Sequence, residues 1–113
     1  MPAANKKISV CEGECPIQRS MEILEGKWTL LILRDLLGGT RRFGELRRSL
    51  GNVNPKTLSD RLHLLEEHSV LTRKVYAEVP PRVEYTLTEK GRALQNVVSA
   101  LAKWGSQWTR TPS

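Results

Sequence analysis

The chain has 113 residues, 39% hydrophobic and 27% charged, with 18 Lys and Arg against 12 Asp and Glu and a formal net charge of +6. That length holds one small domain with one core, and the positive surplus favours a polyanionic partner such as nucleic acid. The longest unbroken apolar run, Leu30 to Leu33, is far short of the roughly 20 residues of a membrane span, so no membrane partnership is expected.

Residues 1–12 read as a flexible N-terminal arm, polar and without periodicity. Met1 to Val10 lacks an apolar h-region, so no signal peptide is expected and a cytoplasmic location follows. Cys11 and Cys15 are close in sequence. A disulfide there would close a very small loop, and in a reducing compartment free thiols are expected.

A domain over residues 13–108 follows, with 109–113 as a tail. The first helix is expected to open at Cys15-Pro16, where a proline's missing N–H costs nothing, and to stop at Gly26. Ile17, Met21 and Leu24 share one stripe. A second helix is expected from Lys27 to Leu37, apolar nearly all round and so central to the core, with Gly38-Gly39 ending it. Phe43, Leu46 and Leu50 mark a third helix. After a Gly51–Asn54 turn a fourth helix opens with Asn54 as N-cap and Pro55 as first residue. Val70 to Tyr76 and Val83 to Leu87 then read as strands around a proline-bearing tip, Ala77 to Arg82. A last helix is expected from an N-cap at Thr88 through Leu94, Val98, Leu101, Trp104 and Trp108.

The fold class expected is mainly α with a small β-hairpin, a winged helix-turn-helix whose N- and C-terminal helices form a dimer seam. The fourth helix has the form a DNA major groove requires: one buried face and one face free for base edges. Leu58, Leu62 and Leu65 take the inward face. Lys56, Asp60 and His63 point outward, and Thr57, Ser59 and Arg61 flank them. Glu66 and Glu67 lie at the far end, where phosphate would repel them, so the N-terminal half is expected in the groove. Between Arg41 and Lys74, eight Lys and Arg (41, 42, 47, 48, 56, 61, 73, 74) face four Asp and Glu (45, 60, 66, 67), a net +4. Arg42 and Asn54 join the expected DNA-binding set, and Arg82 at the hairpin tip is expected on a phosphate or in a minor groove. Ile17, Met21, Leu94, Val98, Leu101, Trp104 and Trp108 are the expected dimer-interface residues.

Cys15 has two readings. At a helix N-terminus its thiolate is favoured, which suits a redox sensor, although Glu12 and Glu14 oppose it. The plainer reading is a small half-buried cap residue. His63 and His68 stand five apart and point about 140° away from each other on a helix, so no metal site is expected. No cofactor is expected either. The chain has no phosphate-binding loop, nucleophile elbow or carboxylate pair, and no Cys-x-x-Cys beside a βαβ unit, so it does not read as an enzyme. The rival reading is a winged-helix protein-interaction module, which would lack salt-sensitive DNA binding.

Five segments in order resemble the HxlR-type transcriptional regulators, a MarR-like group: Cys15-Pro16-Ile17 with Gly26-Lys27-Trp28-Thr29 and Ile32–Leu36; Arg42–Leu46; Asn54–Leu62; Pro80–Tyr85; and Leu87–Gly91. The resemblance implies a dimeric cytoplasmic regulator on a palindromic double-stranded operator. It also implies, for some members, control by an oxidant or small-molecule effector through the cysteine at the position of Cys15.

Overall fold

The computed structural model describes residues 15–109. The expected arm and most of the tail lie outside them. Six helical segments and three strands follow in order: α1 (Pro16–Leu24), α2 (Thr29–Leu36), β1 (Arg41–Arg42), α3 (Phe43–Ser49), α4 (Pro55–Glu67), β2 (Leu71–Tyr76), β3 (Arg82–Leu87), α5 (Glu89–Arg92) and α6 (Gln95–Trp108).

One core holds these elements together. Ile32, Leu33 and Leu36 from α2 meet Leu46 and Leu50 from α3 and its end, Leu58, Leu62 and Leu65 from α4, and Val70, Leu71, Tyr85 and Leu87 at the sheet. Removing that apolar surface from water is the main driving force for the fold. α2 supplies the centre because its leucines and isoleucine are apolar on nearly every side. Trp28 and Leu31 are half-buried against the same cluster.

The sheet has the order β1-β3-β2 and is antiparallel throughout. β2 pairs with β3 from Leu71 opposite Leu87 to Tyr76 opposite Arg82, which is the expected hairpin. β1 was not expected. Its two residues pair with Glu84 and Tyr85, and two residues are too few for a period to show in sequence.

The expected C-terminal helix is broken. α5 ends after four residues, and Leu94 N–H donates to Gly91 C=O at 3.0 Å before α6 begins with Val98 N–H to Leu94 C=O at 2.9 Å. The break lies at Ala93 and Leu94, whose ψ of −12° and −1° tighten the turn away from α-helical geometry, while Thr88 and Gly91 seat α5 on the sheet. The Thr88 hydroxyl accepts from Gly91 N–H at 3.2 Å and lies 2.6 Å from the Ser69 carbonyl oxygen and 3.0 Å from that of Val70. Gly91 is thereby held close against the chain at Val70.

The free-thiol expectation is corrected at Cys15, which is buried at 4% exposure and disulfide-bonded. Composition speaks to the redox compartment, whereas a disulfide depends on local geometry bringing two sulfurs within reach. The chain's other cysteine, Cys11, lies outside the described residues. No helix among the described residues is long and apolar enough to cross a membrane.

Candidate nucleic-acid interface

α3, a turn and α4 form a helix-turn-helix, and the turn is fixed by its own bonds. Gly51 and Asn52 take positive φ of 74° and 59°, conformations that glycine and asparagine adopt at low cost. Asn52 N–H donates to Arg47 C=O at 2.8 Å, and Arg47 Nε donates to Val53 C=O at 2.9 Å. The Asn54 side-chain oxygen then accepts from Lys56 N–H at 2.8 Å and Thr57 N–H at 3.2 Å. α4 therefore starts at a defined place, with Pro55 at its first position.

Three leucines anchor α4: Leu58, Leu62 and Leu65 are at most 2% exposed. Lys56, Ser59, Asp60, His63 and Glu67 face solvent, and Thr57 is half-buried. Lys56 Nζ contacts Asp60 at 3.0 Å and His63 Nε2 contacts Glu67 at 3.3 Å, both pairs one turn apart on the exposed face. Ser59 and His63 line a cleft of about 240 Å³ with Glu66 and with Arg73 of β2, so the polar face of α4 and the wing are brought together.

Arg42 is exposed but stands elsewhere. It lines a second cleft, of about 340 Å³, with the wing loop from Glu78 to Val83. Its N–H donates to Glu45 Oε1 at 2.8 Å, which caps α3. Arg82 lies between two carboxylates, Glu78 at 3.2 Å and Glu84 at 3.3 Å, with its guanidinium 4.0 Å from the Tyr76 ring centre. The wing cations that face solvent are Arg73 and Lys74. Sequence reasoning counted them in the charge sum without choosing them. Their place in the expected Val70–Tyr76 strand was the signal available; in the structure they pair with Tyr85 and Glu84. Arg61 is half-buried, and its Nη1 donates to the Glu25 carbonyl at 3.3 Å.

The expected seam residues divide into two kinds. Leu94 and Val98 are half-buried against the core. Ile17 (55% exposed) and Met21 (51%) on α1, with Leu101 (48%), Trp104 (58%) and Trp108 (72%) on α6, stand open to solvent. Cys15 is the N-cap of α1. Among the described residues no group of three His, Cys, Asp or Glu could hold a metal ion.

Comparison with known proteins gives this geometry its context. The chain is 48% identical over 99 residues to an HTH-type transcriptional regulator of Synechocystis, covering 88% of this chain and 73% of that one. Its fold matches a MarR-family transcriptional regulator from Porphyromonas gingivalis with a TM-score of 0.83 at 39% identity, covering 88% of this chain and 98% of that one. It also matches the redox regulator HypR: in the reduced form with a TM-score of 0.77 at 35% identity, over 81% of this chain and 91% of that one, and in the oxidised form with 0.79 at 34%, over 86% and 100%. Residues 23–113 match the family model of HxlR-like helix-turn-helix proteins. This chain, with its capped and core-anchored second helix and its three-stranded wing, belongs to the HxlR-like helix-turn-helix family of transcriptional regulators.

Proposed function

We propose that the protein binds a palindromic operator as a homodimer, each chain placing the N-terminal half of α4 in the major groove. The observation that carries this reading is the face of α4. Its inner side is locked to the core by three leucines, its start is fixed by Asn54, and its outer side holds Lys56 and, beside Arg73 of the wing, Ser59 and His63. Lys56 and Arg73 supply charge for phosphates, and Ser59 and Thr57 supply short hydroxyls for base edges or phosphates. The wing cations Arg73 and Lys74 extend the basic surface beyond the helix.

The proposal separates two kinds of contact. Lys56→Ala weakens binding evenly across sequences and lowers the slope of log affinity against log salt by about one. Ser59→Ala weakens binding by about 1–3 kcal/mol where its base contact is lost, and relaxes preference at one position of the half-site. Filter binding over a salt series, with single-base operator variants, checks both. Wild-type behaviour in both variants would show that α4 is not the reading helix.

Thiol control is part of the same reading. Cys15 is buried, disulfide-bonded and the N-cap of a helix proposed for the dimer seam. Likeness to HypR, described as a redox regulator and solved both reduced and oxidised, supports it. Reduction by a dithiol adds two electrons and two protons across the S–S bond and frees the start of α1. Operator affinity is expected to differ by about fivefold or more between dithiothreitol and diamide, and Cys15→Ser removes the difference. An equal response in the two proteins would contradict thiol control through Cys15.

A further inference from the structure

Arg61 belongs to the proposed reading helix, yet its guanidinium bonds the turn between α1 and α2. Nη1 donates to the Glu25 carbonyl at 3.3 Å. The same carbonyl accepts the Thr29 hydroxyl at 2.8 Å, and Thr29 is fully buried at the start of α2. Between them lies Gly26, with a φ of +101°. A Cβ on Gly26 would fall 2.9 Å from Arg61 Nη1 and 3.3 Å from its Cζ. Gly26 therefore meets two demands: it takes the left-handed turn after α1, and its bare Cα leaves the space that the guanidinium enters.

The bond adds to what the leucines supply. Packing of Leu58, Leu62 and Leu65 seats α4 on the core, and a charge-assisted hydrogen bond gives a directional tether at its flank. It joins α4 to the turn that ends α1, and α1 presents Ile17 and Met21 to the proposed seam. We propose that Arg61 is a positioning residue that latches the reading helix to the α1–α2 turn and so sets the half-site separation the dimer accepts. This rests on the reading of α4 as the groove helix of a homodimer.

The test uses the full chain in two arms. In the free protein, hydrogen exchange over residues 24–29 rises in Arg61→Ala and stays at the wild-type rate in Ser59→Ala. Unchanged exchange in Arg61→Ala overturns the latch, whatever the protein does with DNA. On duplexes selected by the wild type, Arg61→Ala weakens binding on the order of tenfold, the size of one charge-assisted hydrogen bond. It also narrows the preference for the selected spacing over duplexes with one base pair added or removed between half-sites. The order of base preference within each half-site is unchanged, and Arg61→Lys recovers part of the loss. A changed base order within the half-site would make Arg61 a base reader and overturn the proposal. Failure of the wild type to select any duplex would instead overturn the operator reading beneath it, and the exchange arm would still decide the latch.

Discussion

Gly91→Ala lowers the melting temperature by about 10 °C or more, although helix propensity alone favours alanine over glycine by about 1 kcal/mol. The contact decides the sign. A Cβ at Gly91 would run into the Val70 carbonyl oxygen, and it would also meet Leu87 Cδ2 at 2.9 Å and Leu87 Cβ at 3.2 Å. The Val70 oxygen is backbone and is tied in place: Thr88 N–H donates to it at 3.0 Å, with the Thr88 hydroxyl also 3.0 Å away. It cannot withdraw without loosening the junction between β2, β3 and α5. Overpacking of this kind costs about 1–3 kcal/mol or more, a large part of the roughly 5–15 kcal/mol that a domain has in total. Gly44→Ala is the matched control. Gly44 is exposed inside α3 and the nearest atom to its Cβ would be Arg48 Nη1 at 3.5 Å, so its melting temperature stays level or rises. Thermal melts followed by circular dichroism check both. A melting temperature for Gly91→Ala equal to wild type would show that the packing at Thr88–Gly91 is looser than described.

Most of the fold, α4 included, could be read from residue types, because each element rests on local chemistry. Asn54-Pro55 announces a helix start through a side-chain acceptor and a fixed φ, and the cap is present as expected. Leu58, Leu62 and Leu65 repeat at helical spacing and are buried as expected. What could not be read depends on partners far along the chain. β1 exists because Arg41 and Arg42 find Tyr85 and Glu84. α5 is seated where Gly91 meets Val70, twenty-one positions earlier in the chain. Side-chain direction was legible for the exposed residues of α4. It was not legible for Arg61 and Arg82, whose long cationic chains reach the Glu25 carbonyl and the Glu78 and Glu84 carboxylates. A helical wheel places a Cβ, whereas the end of an arginine goes where an acceptor is.

Trp104→Glu converts the protein to a monomer that keeps its fold and loses operator affinity by about a hundredfold or more. Trp104 is 58% exposed, and Val97 (42%), Leu101 (48%) and Trp108 (72%) continue the apolar surface along α6. Leu101 and Trp104 also border an open groove of about 510 Å³ with Leu30, Leu31 and Val98. Apolar surface of this extent on one helix of a small domain marks an interaction site, and the isologous contact of two copies covers it in both at once. A carboxylate at Trp104 stays hydrated in the free chain, so the monomer remains stable, but it would be buried unpaired in the seam. Losing the second reading head removes the gain from simultaneous engagement of two half-sites, which is worth about 10²- to 10⁴-fold. Light scattering and melting curves separate assembly from folding. A Trp104→Glu chain that remains dimeric and binds like wild type would place the seam elsewhere.

The most direct measurement of the central claim is selection of duplexes from a random library by the wild-type chain at fixed salt, followed by native mass of the selected complex. The account predicts inverted repeats with half-site centres about 10 base pairs apart, or a multiple of that, carrying two chains on each duplex. Asymmetric single sites carrying one chain, or no enrichment over the starting library, would contradict it.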